Sequence, residues 1–101
     1  MVVPKLFGAY ESIKVSAEER KLADILEFVK MKAFLRQRFY RIEFNDHTIN
    51  ITENITDQSK GIDFEYIRFT RTSITFNGNG FPSAEKLVYY VRGRTKNLDI
   101  I

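Results

Sequence analysis

The sequence predicts an α+β fold, one long N-terminal helix followed by five or six antiparallel strands. Three observations carry this prediction. From Pro4 to about Arg38 the chain is rich in the strong helix formers Ala, Leu, Glu, Lys and Arg, with one glycine (Gly8) and no internal proline. After Arg38 the apolar residues recur with period two instead of the helical spacing. Clusters of Asn, Asp and Gly then separate the alternating runs. At 101 residues and 11.9 kDa the chain supports a single core. We therefore read one domain over 1–101, with a helix over about 5–38 and a β-region over about 39–101.

The helix comes first. At 1.5 Å per residue it extends for roughly 50 Å, and Pro4 suits its first turn, where a missing N–H is tolerated. Acids gather early (Glu11, Glu18, Glu19, Asp24, Glu27) and bases late (Lys30, Lys32, Arg36, Arg38), which complements the helix dipole. Leu22, Ile25, Leu26, Val29 and Ala33 follow the i, i+3, i+4, i+7 spacing and form a stripe expected to lie on the rest of the domain. Phe28, Met31, Phe34 and Leu35 point elsewhere around the helix, and Leu6, Tyr10, Ile13 and Ala17 continue that direction towards the N-terminus. The helix is thus apolar on two sides, while roughly 60 residues remain to cover a rod of roughly 50 Å. Other molecules are expected to cover the second side, against the alternative that one thick domain buries both stripes. The opening Met1-Val2-Val3-Pro4 has no polar lead-in and reads as a start cut from a longer chain.

The strands follow in order. Tyr40-Ile42-Phe44 alternates with Arg41-Glu43, Asn45-Asp46 makes a turn, and Ile49-Ile51 alternates with Asn50-Thr52, so 39–53 reads as a hairpin. Glu53 to Gly61 reads as a polar loop. Ile62-Phe64-Tyr66 and Ile67-Phe69 give the next strand, with a change of face near Tyr66-Ile67 read as a bulge. Ile74-Phe76 is a short strand entering the turn Asn77-Gly78-Asn79-Gly80, and Pro82-Ser83 prolongs that loop. Leu87–Val91 and Leu98–Ile101 complete the set, joined by the turn Gly93-Arg94-Thr95-Lys96.

Chemistry is sparse. Without Cys and with one His, a thiol nucleophile, a disulfide frame and a Cys/His zinc site are excluded. His47 follows Asn45-Asp46 in a turn, and neither Asp57 nor Asp63 makes it a convincing metal or acid–base site. Gly78-Asn79-Gly80 lacks the following helix and the Lys-Ser/Thr of a phosphate-cradling loop. Asn50-Ile51-Thr52 and Asn54-Ile55-Thr56 match the glycosylation sequon, a pattern common by chance. No catalytic residue, metal ligand or cofactor is assigned, and the apolar runs are too short to span a bilayer. Sixteen Lys and Arg against thirteen acids, with pI near 9.3, permit nucleic-acid contact without requiring it. Arg92, Arg94 and Lys96 beside Tyr89 and Tyr90 are the candidate phosphate-gripping group, against the alternative that they discourage strand-edge pairing.

Val2-Val3-Pro4-Lys5-Leu6-Phe7, running without pause into the two-faced helix, resembles the point where a type IV pilin or type II secretion pseudopilin leaves the membrane. Ile74-Thr75-Phe76-Asn77-Gly78-Asn79-Gly80-Phe81-Pro82-Ser83 is similar to the strand-and-turn signature of GspH/FimT-like minor pseudopilins. The resemblance implies a pilin-like fold with a long N-terminal helix packed on antiparallel sheet. It also implies a single-pass inner-membrane anchor ahead of this domain, an N-terminal methylation, and a periplasmic location. The partners would be other major and minor pseudopilins and the inner-membrane assembly platform, and the function would be structural, in protein export. Leu6, Phe7, Tyr10, Ile13 and Ala17 then form the subunit interface. The alternative within the same family is a FimT-like minor pilin that binds DNA for uptake. Its Gly-Arg-x-Arg motif is approached by Gly93-Arg94-Thr95-Lys96, where Lys lacks the bidentate fork of Arg.

Overall fold

The computed structural model describes residues 3–54 and 59–100, with side chains from Tyr10 onward. Helix α1 (Val3–Arg36) precedes strands β1 (Tyr40–Asp46), β2 (Thr48–Glu53), β3 (Ser59–Asp63), β4 (Ile67–Phe76), β5 (Lys86–Val91) and β6 (Arg94–Asp99). The strands form one six-stranded sheet in the order β3-β2-β1-β4-β5-β6, every neighbouring pair antiparallel.

The architecture is α+β, but the pilin-like form expected for it is corrected. The helix with described side chains is Tyr10–36, and its buried residues extend only from Val15 to Ala33, a packed length of about 27 Å. This is a short helix laid on a single sheet, not the long N-terminal helix of a pilin.

Why the helix packs as it does follows from its inner row. Val15, Leu22, Leu26, Val29 and Ala33 are buried against Tyr40, Ile42 and Phe44 of β1, Ile49 of β2, Ile67, Phe69, Ile74 and Phe76 of β4, and Leu87, Tyr89 and Val91 of β5, in one core. Ile25 packs at the margin of that core. The helix ends where Gln37 takes a φ of +52° and the Arg38 N–H reaches the Ala33 carbonyl at 3.2 Å. This is a Schellman closure with Gln at the left-handed position.

Several sequence-based boundaries shift. Asn45 pairs with Thr48, so the first hairpin turns on Asp46-His47, one residue later than read, with Asp46 at φ +53°. β3 starts at Ser59, inside the stretch read as loop. Ile67–Phe76 is one strand, so Ile74-Phe76 is its end and not a separate strand. The change of face lies inside β4: Phe69 and Ile74 are both buried although an even-odd alternation separates them, and β1 compensates with a register shift between Phe44 and Asp46. Val91 pairs with Arg94, so the last hairpin turns on Arg92-Gly93, both at positive φ. That is the favoured two-residue turn for right-twisted strands. Arg94, Thr95 and Lys96 are therefore β6 residues, not turn residues. Asn54-Ile55-Thr56, Asp57 and Ile101 fall wholly or partly outside the described residues.

Candidate interaction surface

The helix has an outer row opposite its buried one. Tyr10, Ile13, Phe28, Met31, Phe34 and Leu35 are each more than half exposed, between 54% and 69%. Ala17, Arg20, Lys21, Asp24 and Glu27 lie exposed between the two apolar groups. Successive residues advance 100° around an α-helix, which places this row on the side away from Leu22, Leu26 and Val29. Of the proposed interface, Tyr10, Ile13 and Ala17 thus share one exposed face, whereas Leu6 and Phe7 lie outside the residues whose side chains are described. At the C-terminal end the exposed Phe39 and Phe81 add further apolar surface.

The Asn77–Gly80 turn builds the end of this surface. Asn77 Oδ1 accepts the N–H groups of Asn79 (2.9 Å) and Phe81 (3.0 Å), and Gly80 N–H donates to the Asn77 carbonyl at 2.9 Å. The loop presses on the helix: a Cβ at Gly80, whose φ is +80°, would lie 3.3 Å from Phe34 Cβ, and one at Gly78 3.2 Å from the Gln37 carbonyl carbon. The sequence signature thus serves as a turn that abuts the last helical turn beside Phe34.

Polar contacts fasten the helix to the sheet, and sequence reasoning missed them. Glu18 accepts the backbone N–H groups of Glu65 (2.6 Å), Tyr66 (2.7 Å) and Ile67 (3.2 Å). The Tyr89 hydroxyl donates to Glu19 at 2.5 Å, and Lys96 Nζ donates to the same carboxylate at 3.1 Å. Burial alone would raise the Glu19 pKa, but the hydrogen bonds from Tyr89 and Lys96 outweigh it and hold the carboxyl below its ordinary 4.5. Burial and the Glu19 carboxylate together push the Tyr89 hydroxyl well above its ordinary 10.0. Arg92 pairs with Glu11, and the buried Glu53 receives Arg38 at 2.6 Å with Arg36 at 3.7 Å. These partners lie far apart in sequence, so no local pattern announces them.

The same contacts bear on the cationic group. Arg92 is engaged by Glu11 and Lys96 by Glu19, which leaves Arg94 as the one of the three without an ion pair among the described residues. A cleft of about 850 Å³ opens where the two hairpin turns meet the start of β4, lined by His47, Tyr66, Arg68, Tyr90 and Arg92 among others. Arg68 is paired there with Asp46 at 3.3 Å, and His47 Nδ1 donates to the Ile67 carbonyl at 2.9 Å, which places the ring proton on Nδ1. A smaller cleft of about 480 Å³ lies against Phe28, Lys32 and Tyr40, and the buried Tyr40 hydroxyl has no hydrogen-bond partner among the described residues. Among the described residues no group of three or more His, Asp or Glu side chains stands close enough to hold a metal ion, and no helix is long and apolar enough to cross a membrane.

No family model matches the chain, and the searches of curated proteins and of solved structures return no match either.

Proposed function

We propose that the protein is a structural binding subunit that assembles with other protein chains through the outer face of α1. The observation carrying this reading is that six large apolar side chains stand more than half exposed on the face opposite the buried helix row. Leaving that much apolar area in water is unfavourable by about 25 cal/mol per Å², and its removal on association is the available driving force. Assembly with other pseudopilins in an export filament, as the resemblance implies, draws support from the exposed Tyr10, Ile13 and Ala17 and none from the architecture. The inner-membrane anchor and periplasmic location that accompany it rest on the resemblance alone.

Size fractionation of native complexes tests the assignment. The wild-type chain should migrate in an assembly larger than its own 11.9 kDa, and the variant Tyr10→Asp/Ile13→Asp should migrate alone with an unchanged circular-dichroism spectrum. A folded variant that keeps the full assembly overturns it.

A further inference from the structure

We infer that the outer face of α1 pairs with the same face of a second copy of this chain, antiparallel, about a two-fold axis near the midpoint between Leu22 and Ala23. The inference rests on the proposed helix-face assembly and names the partner.

The outward residues fall on a heptad frame. Lys14, Lys21, Phe28 and Leu35 recur every seven residues, as do Tyr10, Ala17, Asp24 and Met31, and the two series interleave with spacings of four and three over nearly four heptads. In an antiparallel pair each member of one series faces a member of the other. Tyr10 then meets Leu35 of the second copy, and Ala17 meets Phe28, a small residue against a large one. At the centre Asp24 meets Lys21, whose ammonium would swing from its exposed 3.4 Å contact with the Asp63 carbonyl of its own chain, with Arg20 one position away. Lys14 meets Met31, and its stem already lies along Tyr10 with Nζ 4.7 Å from the ring centroid, so an aliphatic surface faces the thioether.

The flanking positions agree with this alignment independently. Ile13 faces Phe34 and Arg20 faces Glu27, so apolar meets apolar and charge meets its opposite, while Glu11 stays on Arg92 of its own chain. A parallel pair fails the same comparison, because it sets Asp24 against Asp24 and Lys21 against Lys21 across the seam. On the outer face the bases Arg20 and Lys21 precede the acids Asp24 and Glu27, an order that is self-complementary only when one copy is reversed. An isologous contact of this kind closes on itself and does not propagate into a filament. The buried row of Leu22, Leu26, Val29 and Ala33 stays on the sheet of its own chain, so no refolding is required. The seam from Tyr10 to Leu35 is about 38 Å long.

The experiment is sedimentation equilibrium on the purified chain with three sets of variants. Wild type should show a concentration-dependent mass rising to two chains, and Phe28→Asp should stay a folded monomer. Asp24→Lys should raise the dissociation constant at least tenfold, and adding Lys21→Asp should restore it to within about threefold of wild type. Because the chain has no cysteine, Ala17→Cys/Phe28→Cys should form an interchain disulfide under mild oxidation, and Ala17→Cys alone should not. A wild-type chain that remains monomeric at millimolar concentration, or cross-links through Ala17→Cys alone, overturns the pairing. If the purified chain is monomeric while the native assembly is still lost in Tyr10→Asp/Ile13→Asp, only the self-pairing falls. If that assembly survives the double variant, the helix-face reading falls with it.

Discussion

A carboxylate that accepts three successive backbone N–H groups, as Glu18 does from Glu65, Tyr66 and Ile67, satisfies donors where the chain turns from β3 into β4. Replacing it leaves those donors without their charged acceptor, so Glu18→Ala should lower unfolding stability by about 2 kcal/mol, read as a lower urea midpoint at unchanged slope. The neighbouring Glu19 gives a pH dependence with a definite sign. Its carboxyl titrates lower in the folded chain than unfolded, so its contribution is complete above about pH 4.5 and is lost as pH falls through the lower folded value. Tyr89→Phe removes one of the hydrogen bonds responsible, and acid titration of stability should show a shallower fall below that pH. A variant with the wild-type acid profile would place the sensitivity elsewhere. Glu11, Glu18 and Glu19 read in the sequence as complements to the helix dipole. Their tertiary partners stand 81, 47–49 and 70–77 positions away, beyond the reach of any local pattern.

Two left-handed positions fix the C-terminal end of the helix and the Asn77–Gly80 turn that abuts it. Gln37 holds a left-handed φ of +52° in which an L side chain is unfavourable. Gln37→Gly should therefore stabilise by about 1 kcal/mol, seen as a rise in Tm of several degrees. At Gly80 the sign reverses: its φ is +80° and the nearest atom to an added Cβ is Phe34 Cβ at 3.3 Å. Gly80→Ala should cost about 2 kcal/mol and disturb the Phe34 side of the outer face. The helix interior and the β1–β2 hairpin were legible because each has one strong period. The apolar pattern puts the bulge near Tyr66-Ile67, yet the face changes between Phe69 and Ile74, where Thr70, Arg71, Thr72 and Ser73 carry no apolar marker to reveal the slip. Residue type points to Gly93-Arg94-Thr95-Lys96 as the last turn, because a left-handed Arg92 has no signature in the sequence.

The two faces of α1 answer to different demands, and substitutions should separate them. Leu22 is fully buried, so Leu22→Ala should cost about 2–5 kcal/mol of monomer stability. Phe28 is 58% exposed, so Phe28→Asp should leave monomer unfolding within about 0.5 kcal/mol of wild type while removing association. Equal losses in the two variants, measured by chemical denaturation at low concentration, would show that the outer row is part of the monomer core. That two faces exist was legible from the spacing of Leu22, Ile25, Leu26, Val29 and Ala33 against that of Phe28, Met31, Phe34 and Leu35. What the architecture would be was not, since the same spacing fits a projecting spine and a helix lying flat on one sheet.

The helix is synthesised first, yet the groups that fasten it, from the amides of Glu65–Ile67 to Tyr89, Arg92 and Lys96, belong to the second half of the chain. A nascent chain halted before Ile67 has neither β4 nor β5 to complete the cover over the inner helix row, so greasy surface remains on both flanks of the helix at once. Closing the core must await those strands, a non-local requirement that slows folding, and the ribosome-bound intermediate is the species most in need of a chaperone.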